Sequence, residues 1–131
     1  MRKRLHGAPI DVTGPAYHAG RVFVAEIGGA LIALDAKTGK VAWRRDLEAH
    51  LESSPLIVGK TLYIGTDSNQ VLAIDTRDGH RIWEYDDHAS IKASPSYHRG
   101  RIYVGNYQAG MLALNAKTGK PIWRTNTSRQ A

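Results

Sequence analysis

The chain has no cysteine. That excludes disulfides, thiolate metal sites and cysteine nucleophiles, and says little about compartment. No apolar run approaches the roughly 20 residues of a membrane-spanning helix. The opening Met1-Arg2-Lys3-Arg4-Leu5-His6 has the charge of a signal peptide without an apolar stretch behind it, so as written it carries no address. Acids are too few to balance bases: 12 Asp and Glu against 18 Lys and Arg, a net charge of +6. Such a balance invites a phosphate-binding reading. Beyond Arg2-Lys3-Arg4, however, the bases are dispersed among acids, so no nucleic-acid partner is expected. With 42% hydrophobic residues over 131 positions, the composition is globular rather than disordered.

What the chain does have is one phrase written three times, forty residues apart. The copies run from Ala33 to Trp43, Ala73 to Trp83 and Ala113 to Trp123. Thr13-Gly14-Pro15, Ser53-Ser54-Pro55 and Ala93-Ser94-Pro95 keep the same frame, as do Phe23, Tyr63 and Tyr103. Residues 20–44 and 100–124 share twelve identities in 25 positions without a gap. A period near 40 holding four short strands points to a β-propeller blade rather than a helical solenoid.

The middle copy is legible strand by strand. Leu56 to Val58, Thr61 to Gly65, Gln70 to Asp75 and His80 to Tyr85 are apolar, β-branched or aromatic runs. Gly59-Lys60, Thr66 to Asn69 and Thr76 to Gly79 separate them as turns. This is an antiparallel meander. Runs such as Leu31-Ile32-Ala33-Leu34 are continuous rather than alternating, so both faces of each sheet must be covered. Face-to-face stacking of successive sheets supplies the cover. A β-sandwich would also do so, but does not explain an exact period of forty.

Within the phrase each residue type has a reason. Asp35, Asp75 and Asn115 can bond the backbone two residues on and nucleate the turn. Gly39, Gly79 and Gly119 supply a positive φ at its end. Small Ala33, Ala73 and Ala113 leave room for bulk on a neighbouring sheet, and Trp43, Trp83 and Trp123 are that bulk.

The pattern A-x-D-x-x-x-G-x-x-x-W resembles the tryptophan-docking motif of the pyrroloquinoline-quinone-like propeller repeats, the quinoprotein alcohol dehydrogenases and their non-enzymatic relatives. Only Asn115 departs from it. The resemblance covers about residues 14–125. It implies an all-β fold of four-stranded antiparallel blades, with each Trp docked on the Gly-containing turn of the next blade. It also implies a periplasmic or cell-envelope setting. The dehydrogenases of that family hold their quinone under a vicinal disulfide, which this chain cannot form. The expectation is therefore the non-enzymatic branch, with no cofactor, as in outer-membrane assembly or kinase-linked sensing. A segment of a quinone-dependent alcohol or sugar dehydrogenase is the alternative.

The expected units are a tail at 1–13, blades at 14–46, 47–86 and 87–125, and a tail at 126–131. Propellers generally need four to eight blades. Three therefore imply either the remaining blades of a parent chain or a head-to-tail pair of copies closing a six-bladed ring. The fragment is the favoured expectation.

A meander sorts its own loops. One end collects the repeated turns, rich in Lys and Arg. The other collects dissimilar loops, Glu26 to Gly29, Thr66 to Asn69 and Asn106 to Ala109, and is acidic in excess. A protein or peptide partner is expected at the dissimilar end, through Tyr107, Asn106, Asp67, Asn69 and Glu26. No catalytic residue is expected: no nucleophile–base set, phosphate loop or carboxylate pair stands out. The six histidines include no pair at metal-ligand spacing on one element, and Asp67 with Asn69 lacks the spacing of a calcium loop.

Overall fold

A computed structural model describes residues 14–51, 53–87, 89–91, 94–106 and 110–126. Among them the regular structure is entirely β, with no helix. The first meander is β1 (Ala16–His18), β2 (Arg21–Ala25), β3 (Ala30–Asp35) and β4 (Val41–Asp46). The second is β5 (Leu56–Val58), β6 (Thr61–Gly65), β7 (Gln70–Asp75) and β8 (Arg81–Asp86). The third is β9 (Ser96–His98), β10 (Arg101–Gly105), β11 (Gly110–Asn115) and β12 (Pro121–Asn126). Each forms its own four-stranded antiparallel sheet in sequence order. These are propeller blades.

The core lies between blades rather than within one. Phe23, Ala25 and Leu31 of blade 1 pack against Leu62, Ile64, Leu72 and Ile74 of blade 2. Tyr63, Val71 and Ala73 use the opposite face of blade 2 to meet Ile102, Val104, Leu112 and Leu114 of blade 3. Blade 2 is thus covered on both sides, which is why β7 carries no polar alternation. The inter-blade connections add to these seams: Leu47, Ala49 and Leu51, then Ala89 and Ile91, are buried.

The alanine of the phrase makes room on its own sheet, not on the neighbouring one. Phe23, Ala33 and Trp43 are register partners in one row across β2, β3 and β4. Partners in an antiparallel row share a face. The Phe23 and Trp43 rings therefore lean together over Ala33, centroids 6.0 Å apart. Tyr63 and Trp83 do the same at 5.9 Å, and Tyr103 and Trp123 at 6.0 Å. A larger residue at the centre would hold the rings apart.

Just beyond each alanine the register shifts by a bulge in the outer strand, at Ala33/Leu34, Ala73/Ile74 and Ala113/Leu114. A bulge re-aims the side chains next to it. Here it sits at the tryptophan, which must reach both its own sheet and the next.

Candidate functional site

At the repeated end the turn is built as its residues require. Asp35 Oδ1 accepts from the Lys37 and Thr38 amides, at 2.8 and 3.0 Å. Asn115 Oδ1 accepts from Lys117 and Thr118 at 2.9 and 3.0 Å, so the amide replaces the carboxylate without loss of the cap. Asp75 caps Arg77 N and also takes two bonds from its guanidinium. That guanidinium, opposed by burial and helped by the backbone bond, brings the Asp75 carboxyl down to about 2. Gly39, Gly79 and Gly119 have φ of 76°, 82° and 77°.

These turns receive the tryptophans. The Trp43 indole donates to the Thr76 carbonyl at 3.0 Å, and Trp83 to the Ala116 carbonyl at 2.9 Å. Their rings lie on the glycines: a Cβ at Gly79 would fall 2.8 Å from Trp43, and one at Gly119 2.5 Å from Trp83. A second donor joins each carbonyl. Tyr63 Oη donates to Ala116 O at 3.0 Å. Phe23 has no hydroxyl, and Arg21 instead reaches the Thr76 and Arg77 carbonyls, each at 3.0 Å. Among the described residues nothing lies within 4 Å of a Cβ placed on Gly39, and Trp123 is 40% exposed.

Asp75, Asp78 and His80 form a cluster of possible metal ligands. Its members are already committed. Both Asp75 oxygens hold Arg77, and His80 Nδ1 lies 2.6 Å from Asp78 Oδ1. With the guanidinium occupying the carboxylate, the set does not fit a cation.

The dissimilar end is held by polar knots. Asp67 Oδ1 accepts from His50 N at 3.0 Å, and its carbonyl accepts from Ser90 Oγ at 2.7 Å. One loop residue thereby ties down both inter-blade connections. Asn69 adopts φ 71°, a conformation asparagine tolerates, and its carbonyl accepts from Asp87 N. Glu26 stays on its own blade, 3.5 Å from Arg44.

Asn106 is not at the surface. It is 1% exposed, donates to Asp87 Oδ2 at 2.7 Å and accepts from Gly110 N at 3.0 Å. Arg124 Nε bonds the other Asp87 oxygen at 2.9 Å, and that carboxylate is fully buried. This seam was not visible in the repeats, because Asp87 stands where the preceding connection has Leu47, and Asn106 where the other blades have Glu26 and Thr66. Asp67 and Asn69 are therefore brought together, Asn106 supports them from within, and Glu26 stands apart. Tyr107 lies outside the described residues.

Sheets of this form, joined by tryptophans docked on the next blade's turn, define a β-propeller of the quinoprotein-like repeat class. Residues 6–131 match the family model described as outer membrane protein assembly factor BamB, and the chain belongs to that family. The structure of BamB from Moraxella catarrhalis superposes with a TM-score of 0.73 and 26% identity, covering 82% of this chain and 34% of that one. The 1-butanol dehydrogenase (cytochrome c) of Thauera butanivorans is 45% identical over 47 residues, 34% of this chain and 7% of that protein. The serine/threonine-protein kinase AfsK of Streptomyces griseus is 38% identical over 61 residues, 46% of this chain and 8% of that protein. The chain thus spans only a small part of each. Among the described residues no helix is long and apolar enough to cross a membrane.

Proposed function

We propose that this chain is a non-catalytic propeller scaffold of the cell envelope that presents its dissimilar loops to a protein or peptide partner. One observation carries the reading. The repeated turns at Thr76 to Gly79 and Ala116 to Gly119 are occupied by blade-to-blade docking, whereas the loop bearing Asp67 and Asn69 is held at the other end by bonds that the other blades do not repeat. Differentiated loops on a rigid frame are where binding is usually placed. Tyr107 adds a large contact with little rotamer entropy to lose. Asn106 serves by holding the Asp87 seam.

The two open faces belong to the same proposal. The Trp123 face and the uncovered Ala36 to Gly39 turn are counterparts of the pairs joined inside the molecule. Further blades of a parent chain fit them, and so does a second copy placed head to tail to complete six blades. Pull-down of envelope proteins with Tyr107→Ala and Lys37→Ala variants tests the placement. Loss of the partner with Tyr107→Ala alone supports it, and loss with Lys37→Ala alone overturns it.

A second reading is favoured by the 45% identical stretch shared with the butanol dehydrogenase: a segment of a quinone-dependent alcohol or sugar dehydrogenase. Titration with pyrroloquinoline quinone and calcium, followed by dye-linked alcohol oxidation, decides it. Stoichiometric binding with turnover would replace the scaffold.

A further inference from the structure

The two blade seams are not equally filled at the repeated end. Between blades 1 and 2 the Arg21 side chain crosses the crevice and bonds two carbonyls of the facing turn. The same repeat position in blade 2 is Thr61, whose side chain is too short to cross. A groove of about 530 Å³ opens there between blades 2 and 3. It runs from Tyr97 on the first strand of blade 3 to Ile122 on the last, with Val58, Thr61 and Tyr63 on the blade 2 side. Tyr97 is 41% exposed, so its ring is available.

The charge at the rim has changed as well. In blade 2, Asp75 neutralises Arg77 at 2.7 Å. The equivalent pair in blade 3 is Asn115 and Lys117, and the amide caps the turn but carries no charge. Arg99 joins Lys117 on the lining. Among the described residues no carboxylate pairs with either cation.

From these two exchanges, Thr61 for arginine and Asn115 for aspartate, we infer that the groove between blades 2 and 3 binds a short acidic peptide segment. The volume lies in the range of ligand sites, roughly 300–1,000 Å³. A carboxylate side chain meets Arg99 and Lys117, and an adjacent apolar side chain covers Val58, Tyr97 and Ile122. A free inorganic anion would use the cations and leave that apolar length in water. The site lies at the end opposite the loops proposed above and stands or falls separately from them.

The test is titration of the whole chain with a fluorescently labelled hexapeptide containing two glutamates and a leucine, read by anisotropy. Its glutamine counterpart and inorganic phosphate serve as competitors. The expected result is saturable binding, weakened about tenfold or more in Arg99→Ala/Lys117→Ala, the size of losing one charge-assisted bond. Arg77→Ala removes a cation outside the groove and should leave affinity unchanged.

Thr61→Arg is the decisive variant. It adds a positive charge but refills the crevice as Arg21 does, so binding should fall by about tenfold or more. Unchanged or tighter binding in Thr61→Arg would overturn the groove and leave only diffuse attraction. Competition by phosphate as effective as the peptide itself would overturn the peptide assignment. Retention of the denaturant midpoint in each variant separates loss of binding from loss of fold.

Discussion

Tyr63 and Trp83 donate to one acceptor, the Ala116 carbonyl on the next blade, at 3.0 and 2.9 Å. Two strands of blade 2 thus grip a single atom of blade 3, and both lone pairs of that oxygen are used. Removing one donor leaves the other in place. Tyr63→Phe should cost about 1 kcal/mol. Trp83→Ala, which also empties the seam, should cost about 3 kcal/mol. Trp123→Ala should stay within about 1 kcal/mol, because among the described residues no further blade covers its outer side. Urea midpoints of the three variants give the order.

Gly119 and Gly39 separate conformational strain from close approach. Both have positive φ, but only Gly119 lies under a tryptophan. Gly39→Ala should cost about 1 kcal/mol through the backbone alone. Gly119→Ala must also displace the Trp83 ring and should cost about 3 kcal/mol. A shift of tryptophan emission only in Gly119→Ala would identify the moved ring.

The Asp75–Arg77 pair predicts a limb of the acid profile. The Asp75 carboxyl titrates at about 2 in the folded chain against an ordinary 3.8. A depressed folded value means the stabilisation is complete above about pH 4 and is lost as the pH falls toward 2. Asp75→Asn keeps the cap, as Asn115 does, and should lower stability by about 1 kcal/mol at neutral pH. Its loss of stability between those two pH values should be shallower than that of the parent chain. Equal slopes in denaturant titrations would refute the assignment.

Arg124 faces a fully buried Asp87 carboxylate, whereas Arg44 faces a partly exposed Glu26. Arg124→Ala should therefore cost about 2 kcal/mol by weakening the partnering of a buried charge. Arg44→Ala should cost under about 0.5 kcal/mol. Matched thermal melts at low and high salt check both. The Arg44 effect should fade with salt and the Arg124 effect should persist.

The blades were legible because packing imposes the same solution every forty residues. The turn caps at Asp35, Asp75 and Asn115 and the three glycines follow from local backbone chemistry, which sequence reports directly. The role of Ala33 was less legible. An alanine reads the same whether it makes space above its own sheet or opposite another, and only the register of β2, β3 and β4 distinguishes them. Arg21 was hidden for a different reason: it recurs as Arg101 and reads as a solvated turn charge, and only the structure shows it bonding the facing turn where Phe23 has no hydroxyl to do so. Asn106 misled because polarity in a loop suggests exposure. The buried Asp87 that claims it belongs to a distant connection. Leu51 and Ile91 did keep the period, and that recurrence was the available signal for the buried connections.

The turn from Ala36 to Lys40 has the same sequence as the turn from Ala116 to Lys120, which already holds Trp83. Among the described residues, an open receptacle at one side therefore matches the exposed side of Trp123 at the other, and the two are unlike surfaces. Contacts of this kind have a direction. In the head-to-tail pairing proposed above, each copy added would present the same pair again, and growth would stop only where the accumulated rotation brings the last copy back to the first. In such an assembly the angle between neighbouring blades would decide between a closed ring and an open-ended fibre. Substitutions that alter that angle would change the number of copies in an assembly without touching the strength of any single joint.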